Sequence, residues 1–583
     1  MRQLSPQDAQ FLYMEDGHLA SHLTSVAICD QSTADGGIVR FKDIIAHVEE
    51  RLSASKIYNQ RLMRVPLELD YPYWVEDPHF DNEYHITHGR LPEPQDWRQF
   101  CIHMARFHSR PLDMTRPPWE IYVVEGLGKI DGLPEKAFAI AIKIHHAAVD
   151  GTSIQEFIAS LMDFSPEGPP VLPAPSMKER KAERPVTAGA IIRRAWWHNT
   201  TAPFKFAQAT MKYAPGIARS TLRRFTTSST SDSIRAPMTR FNGEISPHRA
   251  FDAVTFDLEE FKEVRRAFKD AKINDVVLAV CGGGLRKYLE DKNELPDESL
   301  IAAAPINERP PSADPVGAKA DGNHVSAMSV PIYTNIADPS ERLKAIVRTT
   351  RYTKAGEGGF QARLVADLGK RLPAASQAVI TRLALSDPRL TARSCNLFIS
   401  NVPGPPFPFY FCGAKVTNSF GMAPIGGGVG LFIATPSYAG KISFNLTTTR
   451  DIVPDTPYLA NCLKLAFTEL KSAAKKQGET ASSTERKAIR RARYRVRVQR
   501  SEEMAENGQT PENERAPAEK AAKASRTRTK ASTNGKTPAN GADDAIVAKP
   551  TRRPRKPSER RAATKAKTTN GAAANGRTAG TSS

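Results

Sequence analysis

Between residues 137 and 144 a large apolar side chain falls at every second position: Phe138, Ile140, Ile142 and Ile144. That period places the four on one face of a strand. Across residues 153–164 the period changes. Ile154, Phe157, Ile158 and Leu161 recur at three and four, the spacing of a short helix with one buried stripe. Further along, residues 258–271 and 274–289 carry helical patterns, while 328–333, 395–401 and 441–447 read as strands. Helices and strands alternate without a short repeat, which predicts an α/β chain with mixed sheets, built as two halves of similar size. No apolar run reaches the roughly 18 residues of a membrane-spanning helix.

Two stretches break this pattern. The first lies between the halves. Glu167-Gly168-Pro169-Pro170 and Pro173-Ala174-Pro175 interrupt regular structure, and residues 188–225 then read as basic helix dotted with aromatics. Ile191, Ile192, Trp196, Trp197, Phe204 and Phe206 alternate there with Arg193, Arg194, Lys205 and Lys212. A crossing linker of this composition packs its aromatics against a domain, or it presents them to a lipid surface, where Trp beside Lys and Arg is at home. Packing is the simpler expectation. The second stretch begins near Thr480 and is rich in Ala, Lys, Arg, Thr and Pro, with Tyr494 as its one aromatic residue. Such a segment buries too little apolar surface to offset its ordering entropy and is expected to be disordered. The expected organisation is an N-terminal domain over 1–165, a helical linker over 166–249, a C-terminal domain over 250–478 and a disordered tail over 479–583.

The net charge of +19 changes meaning once it is located. Residues 481–583 hold 25 Lys/Arg against 10 Asp/Glu, a net of +15, which leaves +4 for the other 480 residues. Nucleic acid is therefore a candidate partner through the tail alone, and a solvated polycation is the plainer reading of that tail. The start, Met1-Arg2-Gln3-Leu4-Ser5-Pro6, lacks the basic and apolar regions of a secretory signal. The six cysteines (Cys29, Cys101, Cys281, Cys395, Cys412, Cys462) are scattered without a C-x-x-C pair. These features suit a cytoplasmic protein with reduced thiols and supply no disulfide or zinc framework.

The chemistry gathers where the 137–144 strand runs into His145-His146-Ala147-Ala148-Val149-Asp150-Gly151. Strand parity puts His146 on the face of Ile144 and His145 on the opposite one. A neutral imidazole at a strand end can take a proton from a hydroxyl and pass it on. Asp150 can return toward the ring or hold the turn, and Gly151 permits a tight turn. Two other readings compete. The pair is structural, or it ligates a metal, although no further cluster at ligand spacing lies nearby.

The motif H-H-x-x-x-D-G resembles the signature of acyltransferases related to chloramphenicol acetyltransferase and to peptide-synthetase condensation domains. Other blocks narrow the resemblance to the bacterial wax ester synthase/acyl-CoA:diacylglycerol acyltransferase family. They are Leu4-Ser5-Pro6-Gln7-Asp8-Ala9-Gln10-Phe11-Leu12; Arg110-Pro111-Leu112-Asp113 with Arg116-Pro117-Pro118-Trp119-Glu120, where Pro118 replaces the usual Leu; and Asn274-Asp275-Val276-Val277-Leu278-Ala279. Asn396, Ser400-Asn401-Val402-Pro403-Gly404-Pro405 and Ser437-Tyr438-Ala439-Gly440 complete the set, in order, from Leu4 to about Leu470. Each block is weak alone, and together they are specific.

The resemblance implies two chloramphenicol-acetyltransferase-like domains with a channel between them. It implies acyl-CoA as donor co-substrate, diacylglycerol or a long-chain alcohol as acceptor, and no metal or other cofactor. His146 is then the general base, with His145 supporting it and Asp150 and Gly151 holding the turn. Asn274 either donates to the oxyanion or caps the helix that follows it. Asp275, Asn401, Pro403 and Gly404 are expected to shape the site, the last two through a rigid turn. No acyl-enzyme is needed, so Cys281 and Trp119 read as core. A membrane or lipid-inclusion surface would be met peripherally. The same centre also suits another hydroxyl acceptor, such as a polyketide or glycolipid, or a lipid-binding scaffold without turnover.

Overall fold

The strand Ala137–His145 is buried along its whole length because both of its faces are covered. Phe138, Ile140, Ile142 and Ile144 join a core that includes Leu12, Ile44, Trp74 and Phe157. The small residues Ala137, Ala139 and Ala141 face the other way, against Phe100, Met104 and Phe107 of the helix Trp97–Ser109. Asp96 caps that helix by accepting from the Gln99 amide at 2.8 Å. A computed structural model describes residues 2–477 and 479, apart from 16–17, 53–54, 56, 149–152, 169–187, 227–234, 308–324, 356–368, 370 and 388–391. The expected disordered tail falls outside the described residues from residue 480 onward.

Two six-stranded mixed sheets organise the chain. In the first the strands run in the order Tyr410–Phe411, Ala414–Met422, His22–Asp30, Ala137–His145, Trp119–Glu125, Ile86–Arg90. Its one parallel pair is Ile86–Arg90 with Trp119–Glu125. In the second the order is Val325–Pro331, Ile301–Asn307, Leu397–Val402, Leu431–Tyr438, Lys441–Thr449, Arg249–Asp257. There Leu397–Val402 runs parallel to both of its neighbours. A small sheet joins Arg2–Gln3, Tyr73–Glu76 and Gln60–Met63. The sequence halves exchange structure: Ala414–Met422, from the C-terminal half, pairs antiparallel with His22–Asp30 inside the first sheet.

The helix Ile273–Asp291 runs through the core of the second half, and Val276 to Leu285 are buried. Cys281 has no exposed surface, as its reading as core expects. Gly282 follows because a Cβ there would sit 2.2 Å from the Ile332 carbonyl oxygen. Trp119 is also fully buried and donates its indole N–H to the Tyr58 carbonyl at 3.0 Å.

Three elements end earlier than their periodicity suggests, among them the strand predicted over 328–333, which spans Val325–Pro331. The helix predicted over 153–164 spans Ser153–Ser160. Asp163 instead exchanges backbone hydrogen bonds with Tyr410 at 2.8 Å and pairs with Arg51. The helix predicted over 258–271 ends at Ala267.

The linker helix, Ala188–Thr226, departs from the packing expectation. Ala195 and Ala202 are buried and Ile191 is half-buried, but Ile192, Trp196, Trp197 and Phe204 are exposed. The small residues dock, and Trp196, Trp197 and Phe204 face outward rather than into the core.

Candidate active site

The main chain builds the site first. The His145 N–H donates to the Pro118 carbonyl at 3.0 Å, and the His146 N–H donates to the Ser21 carbonyl at 2.8 Å. The Ala148 N–H donates back to the His145 carbonyl at 3.0 Å and closes a turn at the strand end. Pro118, the residue that departs from the family pattern, therefore supplies a carbonyl that any residue type would supply.

His145 is buried and both of its ring nitrogens are engaged. Nδ1 accepts from the Ala147 N–H at 3.0 Å. The ring proton then sits on Nε2, which donates to Oε1 of Glu15 at 2.9 Å. The same Oε1 accepts from the Ser21 N–H at 2.9 Å. Burial pushes the Glu15 carboxyl up, but the hydrogen bonds from His145 and from the Ser21 N–H outweigh it and hold the group below its ordinary range. Glu15 thus ties together the two segments that meet at His146.

His146 points the other way, as strand parity predicts. Its ring stacks on Phe11 with centroids 3.8 Å apart and planes 12° apart, and Phe11 packs against the core that holds Ile144. Nδ1 of His146 is buried and has no hydrogen-bond partner among the described residues. Desolvation, followed by the neighbouring His145, pushes its pKa down to about 4, while its own main-chain carbonyl works in the opposite direction. At neutral pH the ring is unprotonated, the state a base requires.

Behind the strand lies a second buried polar cluster. Lys143 is fully buried and donates from Nζ to the carbonyls of Phe107 (3.2 Å) and Arg110 (3.0 Å), with Glu120 2.8 Å away. His22 Nε2 lies 2.6 Å from the His108 carbonyl, and His108 Nδ1 lies 2.9 Å from the Thr24 hydroxyl. Burial, with Arg249 next, pushes His108 down to about 3. The loop leading to Ser21 reaches the second half of the chain: Arg249 donates to the His18 carbonyl at 2.5 Å, and Leu19 packs on Gly426. The His145–His146 turn is thereby held close to where the halves meet.

The residues predicted from the second half behave differently. Asn274 is not the cap of its helix. Lys272 occupies that position, and the Asp275 carboxylate accepts from the Lys272 N–H at 2.8 Å and from the Thr350 hydroxyl at 2.9 Å. Asp275 is thus a buried helix anchor. The Asn274 side chain is half-buried and has no hydrogen-bond partner among the described residues. Asn401 lies in the strand Leu397–Val402, opposite Thr435. The turn that follows crosses close over the neighbouring strand. Gly404 accepts no Cβ without a contact of 2.1 Å to the Ser437 carbonyl oxygen, and its N–H donates to the Ser437 hydroxyl at 3.2 Å. No hydrogen bond or ring contact joins Asn274, Asn401, Pro403 or Gly404 to His146 among the described residues. Asp150 and Gly151 lie outside the described residues. No three His, Cys, Asp or Glu side chains gather as a metal-binding group among the described residues.

Glu15, Phe11 and Lys143 carry much of this geometry without a role assigned from sequence. Lys143 had a visible signal, one cation in an otherwise apolar strand.

Residues 4–277 match the wax ester synthase/diacylglycerol acyltransferase catalytic domain, and residues 321–471 match the C-terminal domain of the same family. A protein of Mycobacterium tuberculosis with a provisional diacylglycerol O-acyltransferase name is 30% identical over 497 residues, covering 82% of this chain and 98% of its own. Another from that species, named a probable diacylglycerol O-acyltransferase, is 28% identical over 480 residues, covering 81% and 99%. The fold is shared with the wax ester synthase/diacylglycerol acyltransferase of Marinobacter aquaeolei, with a TM-score of 0.56, 24% identity, and 82% and 100% of the two chains covered. It is shared as well with a trichothecene 15-O-acetyltransferase of Fusarium sporotrichioides, with a TM-score of 0.51, 12% identity, and 81% and 94% covered. The chain belongs to the wax ester synthase/diacylglycerol acyltransferase family.

Proposed function

We propose that the chain moves a long-chain fatty acyl group from coenzyme A to the hydroxyl of diacylglycerol, giving triacylglycerol, and to long-chain alcohols, giving wax esters. His146 takes the hydroxyl proton as the acceptor oxygen bonds to the thioester carbonyl carbon. The tetrahedral intermediate collapses with loss of the C–S bond, and the imidazolium returns the proton to the leaving thiolate sulfur. The observation that carries this reading is the His146 ring itself: unprotonated, stacked on Phe11, and backed by a His145 ring whose two nitrogens are both committed.

Five of the six cysteines are buried, which suits a mechanism without a thiol nucleophile. With the helix cap held by Asp275, the Asn274 amide is left to serve the oxyanion. Asp150 and Gly151 are assigned to holding the turn. The acceptors live in lipid, and no helix among the described residues is long and apolar enough to cross a membrane. Contact with the lipid phase is therefore assigned to the protein surface.

The test supplies purified chain with labelled palmitoyl-CoA and, in parallel, dioleoylglycerol or hexadecanol. Labelled triacylglycerol or wax ester with release of free coenzyme A is expected. Absence of both products, with the protein folded and donor bound, contradicts the reading.

A further inference from the structure

We propose that one face of the N-terminal half is a docking surface for an anionic lipid surface, and that it delivers the acceptor toward His146. The proposal rests on the lipid acyltransferase reading for its purpose and on independent observations for its location.

The helix Ala188–Thr226 has two unlike sides. Ile191, Ala195, His198 and Ala202 recur at three and four and form the docked side. Ile192, Trp196, Phe204 and Met211, spaced at four, eight and seven, share the opposite side with Trp197 beside them. Trp196 is 65% exposed, Trp197 61% and Phe204 79%. A water-soluble surface has no use for two tryptophans and a phenylalanine in this position.

Neighbouring elements also present apolar side chains to solvent. The His198 ring lies 3.1 Å from Asp70, and the Asn199 amide donates to the Leu69 carbonyl at 2.7 Å. This brings the helix against the turn Pro66–Glu68, where Leu67 and Glu68 adopt left-handed φ values of 57° and 53° and Leu67 stands 86% exposed. Non-glycine residues rarely take that conformation, and here it turns a leucine outward. Arg382 approaches Glu68 at 3.7 Å and adds the helix Ala374–Ser386, whose Val379 and Ile380 are also exposed.

Charge selects the occupant. Ala188–Thr226 contains seven Lys/Arg and no acid, and Ala374–Ser386 contains Arg382 and no acid. The acids beneath them are engaged: Asp70 is buried and bonded to Tyr73 and His198, and Glu68 pairs with Arg382. Outward aromatics beside the exposed Arg193 and Arg194, with the neighbouring carboxylates paired, match an interface of anionic headgroups over acyl chains. Packed elements connect this surface to the His146 end of the first sheet. Gln377, on the Ala374–Ser386 helix, accepts from the Tyr71 hydroxyl at 2.6 Å and donates to the Pro6 carbonyl at 2.8 Å. The helix Pro6–Tyr13 carries Phe11, which stacks on His146.

The experiment uses the full chain, so the basic tail is present in every sample. Co-sedimentation is measured with vesicles of phosphatidylcholine alone and of phosphatidylcholine mixed with phosphatidylglycerol, for the parent and for a Trp196→Ser/Trp197→Ser variant. Binding to the mixed vesicles, with a partition coefficient lowered about 10-fold or more in the variant, is expected. Tryptophan emission should also shift to the blue on mixed vesicles in the parent and not in the variant. Binding unchanged by the two substitutions assigns vesicle attachment to the tail and overturns the proposal. A variant that instead loses self-association, with no vesicle binding by the parent, assigns the face to a second copy and also overturns it. Activity is read separately on vesicle-borne and detergent-dispersed dioleoylglycerol, and the variant should lose rate on the first alone. A parent that binds vesicles through these tryptophans yet forms no ester refutes the catalytic reading and leaves the surface standing.

Discussion

Oε1 of Glu15 accepts from Nε2 of His145 across 130 residues of sequence, at 2.9 Å, and from the Ser21 N–H at the same distance. One oxygen therefore joins the N-terminal loop to the strand end, and the His146 N–H completes the link through the Ser21 carbonyl. A glutamine can offer its amide oxygen in the same place, whereas alanine cannot. Glu15→Gln should keep most of kcat. Glu15→Ala should lower kcat by up to about 100-fold, the loss that a misplacement of about 1 Å produces, with KM for acyl-CoA little changed. Steady-state kinetics on the two variants decides. Equal losses would mean the negative charge, not the position, is what matters.

As the proposed base, His146 should set the pH profile. Its pKa is pushed from 6.5 to about 4 by burial, so the base form persists well into acid. kcat/KM should stay level as pH falls through 6.5 and decline only toward about 4. A measured acid limb centred near 6.5 would show that His146 is not the titrating base.

Stability should follow pH with the same sign. His146, His108, His22 and His85 all have native pKa values lowered by burial. Between their native values and 6.5 the unfolded chain binds more protons than the folded one, so stability rises with pH across that window and levels off above it. The lowered carboxyl of Glu15 adds to the loss in acid. Denaturant midpoints at a series of pH values test this, and a midpoint that climbs on acidification would contradict it.

Gly404 is fixed by space rather than by backbone conformation. A Cβ there meets the Ser437 carbonyl oxygen at 2.1 Å, and a backbone atom in a sheet does not move aside cheaply. Gly404→Ala should cost about 1–3 kcal/mol, seen as a lowered denaturant midpoint. An unchanged midpoint would show that the turn after Asn401 is freely adjustable.

The strand Ala137–His145 was legible because its period is local, and so was the helix Ile273–Asp291. The side on which His146 falls followed from the same parity. Glu15 was not legible, because nothing near it in sequence marks a partner 130 residues away. The pairing of Ala414–Met422 with His22–Asp30 is hidden for the same reason. Asn274 has the composition of a helix cap, but the helix begins at Ile273 with Lys272 in the cap position, and the Asp275 carboxylate accepts the Lys272 N–H. For Trp196 and Trp197 the composition leaves packing and a lipid surface both open, with packing the simpler expectation. Their exposure is decided by Ala195 and Ala202, which let the helix dock on its small side.

Ester formation by a folded His146→Ala variant tests the central claim most directly. With labelled palmitoyl-CoA and dioleoylglycerol, removing the base should lower kcat by about 100- to 10,000-fold, while the denaturant midpoint shows that the fold is kept. Product formed at the parent rate by the folded variant would contradict the assignment of the chemistry to His146.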